Sequence, residues 1–304
     1  MTGHTNAHPE SGLIVTRAGD ELHRHLQATL APGLYLVATP IGNLGDITLR
    51  ALAVLARVDV VLCEDTRHSR TLLAHFAISA TTRPYHEHNA ARERPRVLAE
   101  LADGKRIALI SDAGTPLISD PGWKLARVAI DAGHRVEALP GASAALTALT
   151  VAGLPTDAFL FAGFLPPKSA ARKTRIAELK QVPGTLLFYE APQRVAEALT
   201  DLAEVLGDRP AAVARELTKL HEEVRRGSLP ELASEFAAAA AALKGEFVIL
   251  VGPPQPQDVT DADIEHELAA ALQSMSLRDA SKAIADALSV PKSRVYEIGL
   301  RKDK

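Results

Sequence analysis

The sequence predicts an α/β protein: two α/β domains of largely parallel sheet, followed by a small helical tail. Three observations lead there. From Gly33 to Val251, short apolar runs rich in Val, Ile and Leu alternate with helical patterns, as layered α/β folds require. Two seams rich in Gly and Pro, AGLPTDA at 152–158 and GPPQPQD at 252–258, interrupt that alternation. A chain of 304 residues accommodates two domains at ~100–200 residues each.

Residues 1–32 are polar, then weakly amphipathic over Glu21–Leu30 up to Pro32, and read as a flexible N-terminal extension. Residues 33–155 read as the first α/β domain. Its strands are Leu34–Thr39, Val58–Cys63, Ile107–Ser111 and Arg135–Leu139, each a short apolar run of the kind a doubly buried strand shows. Its helices are Thr48–Arg57, Arg67–Phe76, Ala90–Ala102, Trp123–Asp131 and Ser143–Val151, where apolar residues recur at helical spacing. Residues 156–254 read as the second domain. Its strands are Phe159–Phe164, Thr185–Tyr189, Ala211–Arg215 and Phe247–Val251; its helices are Ser169–Lys180, Arg194–Leu206 and Pro230–Leu243. Residues 258–304 read as three short helices, Ile264–Gln273, Leu277–Leu288 and Lys292–Leu300. Ser276 suits an N-cap and Pro291 restarts the chain. The last two helices have a helix-turn-helix outline. The tail reads equally as a cap on the second domain or as an RNA-contacting module.

Composition narrows the function classes. The 34 Lys and Arg against 37 Asp and Glu give a net charge of −3, so any nucleic-acid contact must come from a local basic patch. The single cysteine, Cys63, excludes a disulfide framework and a Cys-rich zinc site. No apolar run reaches the ~18 residues of a membrane span, and MTGHTNAHPE has no signal-peptide pattern. A cytoplasmic protein without membrane contact is the expectation.

In open α/β sheets ligands gather at the carboxyl ends of strands. The segments that follow the predicted strands are TPIGNLGDIT (39–48), EDTRHS (64–69), SDAGTPLISDPG (111–122), PGASA (140–144) and EAPQR (190–194). Gly, Pro and small residues dominate them, which lets a ligand approach the backbone. There is no GxGxxG and no GxxxxGK[ST], so neither the dinucleotide fingerprint nor a P-loop is present. His86-Glu87-His88 is the nearest approach to a metal pattern, but on a strand its two histidines would face opposite ways. No metal is expected. What remains suits a neutral or zwitterionic nucleoside-like ligand better than a triphosphate.

With LPGASA (139–144), AGLP (152–155), GFLPPKSAAR (163–172), FYEAPQR (188–194), ARELTKLHEE (214–223) and KGEFVILV (244–251) added, the ordered set resembles the tetrapyrrole methylase family from about Gly33 to the C-terminus. Thr39-Pro40-Ile41-Gly42-Asn43-Leu44 stands where the pigment-forming relatives carry a GxGPGD-like loop. That version, GFLPPKSAAR and the helical tail resemble the family's ribosomal branch, the ribosomal RNA small subunit methyltransferase I type. Residues 1–32 have no counterpart in the pattern.

The resemblance implies two α/β domains with S-adenosyl-L-methionine bent into the cleft between them. It places Pro40 at the first loop and Asp112, Ala113, Gly114 and Thr115 along a second wall, with Ile118 and Ser119 beside them. Ala142, Ser143, Tyr189, Ala214 and Gly245 complete the pocket. Asp112 would face the amino-acid or ribose portion of the cofactor. The implied acceptor is a ribose 2′-hydroxyl of a decoding-centre cytidine in 16S rRNA, within the 30S subunit, and the implied assembly is a homodimer.

For an in-line methyl transfer, alignment supplies much of the barrier reduction. A base would add about 10²–10⁴-fold. Glu64, Asp65, Glu87 and Glu190 are the candidates, and the sequence selects none of them. Phosphate contacts fall to Lys168, Arg172, Lys173 and Arg175, which with Lys180 follow Pro166-Pro167 and face only Glu178; Arg67 and Arg70 come second. Two rival readings stay open: a methyltransferase of this fold acting on a porphyrinoid, precorrin-like substrate, and a non-catalytic RNA-binding or ribosome-assembly factor.

Overall fold

The structure is a computed structural model that describes residues 11–254, 260–288 and 290–302. The chain divides into two compact units, Met1–Pro254 and Gln255–Lys304. Both predicted α/β segments lie in the first unit as two separate five-stranded sheets.

The first sheet contains β1 (Gly33–Val37), β2 (Val60–Cys63), β3 (Thr82–Pro84), β4 (Arg106–Ile110) and β5 (Val136–Leu139), in the order β3-β2-β4-β1-β5. Every pairing is parallel. Successive residues of a strand point to opposite faces, and here both faces are buried. Tyr35, Val37, Val61, Cys63, Ala108 and Ile110 pack with Ala51 and Leu55 of α2 (Leu49–Leu55) and Leu73 of α3 (Thr66–His75). Leu34, Val60, Leu62, Ile107 and Leu109 pack on the other side against α4 (Ala90–Ala102) and α5 (Trp123–Asp131). That double burial is why these strands read as continuous apolar runs.

The second sheet has β6 (Phe159–Phe164), β7 (Thr185–Glu190), β8 (Pro210–Arg215), β9 (Glu223–Ser228) and β10 (Phe247–Val251), ordered β6-β7-β10-β8-β9. It departs from the expected parallel arrangement. Only β6 and β7 pair in parallel, while β10 inserts antiparallel between β7 and β8, and β9 lies antiparallel on β8. The physical reason is connection length. A helical crossover returns the chain in parallel, whereas the short 216–222 loop between β8 and β9 brings it straight back.

Helices α7 (Ser169–Leu179), α8 (Val195–Leu206) and α9 (Leu229–Ala238) bury one face of this sheet. The other face is covered by α6 (Ala144–Ala152), whose Ala145, Ala148, Leu149 and Ala152 pack on Leu187, Ala212, Ala214, Val248 and Leu250. The helix that precedes the 152–158 seam is thus packed on the sheet that follows it.

The N-terminal extension is more ordered than its composition suggests. Ser11–Gln27 forms α1, and the Arg57 guanidinium donates to the His25 carbonyl at 2.9 Å. No residue of α1 is buried. Within the expected 1–32 flexible segment, Ser11–Gln27 is therefore a surface helix, while residues 1–10 lie outside the described residues.

The second unit contains α10 (Asp261–Ala271), α11 (Leu277–Leu288) and α12 (Lys292–Lys302). The Ser276 hydroxyl accepts the Asp279 N–H at 3.2 Å, as an N-cap should. Ile264, Leu268, Ile284, Val295 and Ile298 bury one another, and Arg294 pairs with Asp261 at 2.7 Å. The tail has its own small core. Among the described residues no helix is long and apolar enough to cross a membrane.

Candidate active site

The carboxyl ends of β1 and β4 are tied together by a short antiparallel bridge. Thr39 N–H donates to the Gly114 carbonyl at 2.9 Å and Gly114 N–H to the Thr39 carbonyl at 3.0 Å, while the buried Thr39 hydroxyl donates to the Ser111 carbonyl. Gly114 has φ +80°, and a Cβ there would stand 3.3 Å from Ile41. Leu117 and Ser119 follow with φ 72° and 61°, a left-handed geometry that costs non-glycine residues free energy and clusters at ligand sites. Facing them, Glu216 and Thr218 have φ 50° and 66°, and Gly245 has φ 97°.

Between these loops lies a cavity of about 400 Å³, within the size range of small-molecule sites. The first sheet contributes Ile41, Ala113, Gly114, Thr115, Ile118, Ser119 and Asp120. The start of α6 contributes Ser143 and Ala144; the β6 and β7 ends contribute Phe164, Tyr189, Glu190, Ala191 and Pro192. Ala214, Leu217, Gly245, Glu246, Phe247 and Val248 close it. Three carboxylates line the wall, and no Lys, Arg or His does.

Tyr189 anchors this arrangement. Its hydroxyl accepts the Ala145 N–H at 3.1 Å, meeting one of the free amides at the start of α6. Its ring stands edge-on to Phe161 and Phe164, at centroid distances of 4.7 and 5.7 Å. Burial pushes its phenol pKa up. The opposite loop is held by Lys219, whose ammonium reaches Glu216 and Glu246 at 2.9 Å each. Burial acts to lower the Lys219 pKa, but the two carboxylates together raise it, and Lys219 in turn holds Glu216 low.

Of the expected cofactor residues, Ala113, Gly114, Thr115, Ile118, Ser119, Ser143, Tyr189, Ala214 and Gly245 line the cavity. Pro40, Asp112 and Ala142 stand behind its wall. Pro40 is buried, the Asp112 carboxylate accepts the Asp65 N–H at 3.2 Å, and the Ala142 carbonyl accepts the Thr115 hydroxyl at 3.1 Å.

The candidate bases fare differently. Glu190 lines the cavity, but its side chain has no exposed surface and pairs with Arg194 at 2.5 Å. Asp65 caps α3, and Arg67 holds its carboxyl down to about 2. Glu64 and Glu87 are exposed and lie off the cavity wall. The segment His86–His88 follows β3 as a turn instead of continuing a strand, and its two rings meet edge-on at 5.9 Å. Among the described residues no group of three His, Cys, Asp or Glu side chains is placed to hold a metal ion.

Arg172 does not belong to a phosphate-binding face. It is 1% exposed; its Nε donates to Asp201 Oδ2 at 2.6 Å and its Nη1 to the Pro167 carbonyl at 3.2 Å. Lys173 pairs with Glu204 at 2.6 Å and Arg175 with Glu178 at 2.7 Å. Lys168 is exposed at the N-cap of α7. Arg67 pairs with Asp65 at 2.9 Å, and Arg70 donates to the Thr82 hydroxyl.

Sequence reasoning missed Ile41, Asp120, Ala144, Phe164, Ala191, Pro192, Leu217, Glu246, Phe247 and Val248 on the wall. Each lies inside a segment already singled out by its composition or family resemblance, one to four residues from a position that was chosen. Asp120 is the most consequential. Burial pushes its carboxyl above the usual aspartate value; the nearby Ser111 hydroxyl opposes this, and the charges of Glu64 and Asp112 add to it.

The family model described as Tetrapyrrole (Corrin/Porphyrin) Methylases matches residues 33–233, and the one described as RsmI C-terminal HTH domain matches residues 258–303. The chain is 55% identical over 259 residues to the ribosomal RNA small subunit methyltransferase I of Mesorhizobium japonicum, covering 85% of this chain and 87% of that protein. It is 43% identical over 282 residues to the same-named protein of Escherichia coli O157:H7, covering 92% and 99%. Cobalt precorrin-4 methyltransferase, a cobalamin biosynthetic enzyme, superposes with TM-score 0.55 at 17% identity, over 75% of this chain and 95% of that one. Uroporphyrin-III C-methyl transferase from Thermus thermophilus, complexed with S-adenyl homocysteine, superposes with TM-score 0.52 at 18% identity, over 72% and 97%. The distant structures share the fold.

Proposed function

The chain belongs to the tetrapyrrole methylase family, and from that premise we propose that it transfers a methyl group from S-adenosyl-L-methionine to a ribose 2′-hydroxyl of 16S rRNA. The acceptor is a decoding-centre cytidine in the 30S subunit. The protein works in the cytoplasm as a homodimer.

The observation that carries this reading is the chemistry of the cavity wall, which among the described residues holds three carboxylates, two of them paired with Arg194 and Lys219, and no basic side chain. A nucleotide phosphate would be repelled there, whereas a ligand bearing a sulfonium and an ammonium is favoured. Apolar contacts from Leu217, Ala214 and Val248 and the backbone at Ala113–Thr115 suit the nucleoside. When bound, the cofactor supplies an electrophilic methyl carbon. The chain's own task is to hold that carbon in line with the attacking oxygen and to keep water away. The strained loops around Ser119 and Gly245 fix the two walls, and Tyr189 fixes α6 against them.

Relatives 42–55% identical to this chain carry the ribosomal RNA methyltransferase name, whereas the corrin and porphyrin enzymes share only its fold. That favours a ribosomal RNA acceptor over a porphyrinoid one. A non-catalytic RNA-binding role leaves the carboxylate-lined cavity without a use.

The test is transfer of a labelled methyl group from S-adenosyl-L-methionine by the purified protein, offered 30S subunits or a precorrin-type acceptor. Label in the 30S RNA is the expected result. Label in the porphyrinoid alone would overturn the reading.

A further inference from the structure

We infer that Asp120 is the catalytic base that takes the proton from the attacking ribose hydroxyl. This rests on the proposed ribose-methylation function and deepens it, since composition and resemblance left the base unassigned.

Ion pairing separates the candidate bases. A carboxylate bonded to a cation is a weak proton acceptor, because the partner favours its charged form. Of the three carboxylates on the cavity wall, Glu190 pairs with Arg194 and Glu246 pairs with Lys219. Among the described residues Asp120 has no ion-pair partner. Of the candidates off the wall, Asp65 is held at about 2 by Arg67 and is ill-suited to accept a proton near neutrality.

Position supports the same assignment. Asp120 follows Ser119, whose backbone is left-handed (φ 61°). A Cβ on Gly163 would stand 3.4 Å from the Ser119 hydroxyl, which places the end of β6 beside the 118–120 loop. Ile118 and Phe164, 43% and 54% exposed, are both on the cavity wall and mark its open side. An RNA ribose entering between them meets the 118–120 loop first.

The charged and titratable groups facing Asp120 are Glu64 after β2, Asp112 of its own loop and Tyr189 of β7. Burial and the two neighbouring carboxylates raise its proton affinity, so it is a better acceptor than an ordinary surface aspartate. In the reaction the oxygen–carbon bond forms as the carbon–sulfur bond breaks. The electron pair of the broken bond stays on sulfur, and the hydroxyl proton passes to the Asp120 carboxylate and then to solvent at the mouth.

The experiment compares the wild type with Asp120→Asn. Single-turnover methyl transfer to 30S subunits is measured across pH, alongside S-adenosylhomocysteine affinity and a thermal melt. The expected result is a fall in rate of about 10²–10⁴-fold, loss of the acidic limb of the wild-type pH profile, and cofactor affinity unchanged within about threefold. Asp120→Glu should recover part of the rate. An unchanged rate and profile would overturn the assignment. So would a loss of cofactor affinity as large as the loss of rate, which would make Asp120 a cofactor ligand. Failure of the wild type to methylate 30S subunits would instead refute the functional reading, and this inference with it.

Discussion

Arg172 and Asp201 form a buried ion pair: the guanidinium Nε lies 2.6 Å from Oδ2, and both residues are nearly inaccessible. The Ser169 hydroxyl also reaches both Asp201 oxygens, at 3.0 and 3.1 Å. The pair thus joins the start of α7 to the middle of α8. Removing one partner of such a pair strands the other charge. Arg172→Ala is predicted to destabilise the protein by roughly 3–5 kcal/mol. A melting temperature within a degree of wild type would contradict that role.

The basic segment then divides. Lys168, exposed and with no ion-pair partner among the described residues, is the predicted phosphate contact. Lys168→Ala should flatten the dependence of log affinity on log salt by about 0.7–0.9. The conservative Arg172→Lys should leave that slope unchanged. The reverse pattern would return Arg172 to the interface.

Gly245 sets one wall of the cavity. At φ +97° a Cβ would stand 2.6 Å from Glu216, the residue that accepts the Glu246 N–H and the Lys219 ammonium. Gly245→Ala must displace that network. Its predicted effect is a cofactor affinity weakened on the order of tenfold, the equivalent of ~1.4 kcal/mol. Calorimetry giving the wild-type affinity would show that the wall tolerates the shift.

Asp65 predicts a pH effect. Its side-chain hydrogen bond and ion pair with Arg67, aided by the Arg67 N–H, depress the folded-state value to about 2. A depressed carboxyl contributes stability above its unfolded value of ~3.9 and loses it as pH falls toward the folded value. The melting-temperature difference between wild type and Asp65→Asn should therefore shrink between about pH 4 and about pH 2. A constant difference would mean that the cap, and not the charge, is what stabilises α3.

The tail predicts a separable unit. Its apolar residues Ile264, Leu268, Ile284, Val295 and Ile298 pack on one another. Deleting residues 255–304 should leave a folded protein that binds S-adenosylhomocysteine, since every cavity residue precedes Pro254. Early melting of the truncated chain would contradict this.

The buried strands were legible because burial on both faces forces continuous apolar runs, as in β1, β2 and β4. Two of the four edge strands, β3 and β9, were not. Thr82–Pro84 is only three residues long, and both it and Glu223–Ser228 are polar and half exposed, which protects a sheet edge and erases the pattern. Arg172 misled for a different reason. It stands four residues before Ile176 and seven before Leu179, on the buried stripe of α7, but its partner lies on another helix. Only that tertiary pairing shows why a cation belongs there. The cavity walls were legible as motifs, whereas the split between lining residues and supporting ones was not. Asp112 and Asp120 stand eight positions apart in one Gly/Pro-rich segment, yet of the two only Asp120 is on the cavity wall.

The central claim is ribose methylation of small-subunit RNA, and ribose-methylation mapping of 16S rRNA from cells with and without this protein tests it most directly. The prediction is a single decoding-centre cytidine that carries a 2′-O-methyl group only when the protein is present, and that loses it when Asp120→Asn replaces the wild type. An identical map in both cells would contradict the account.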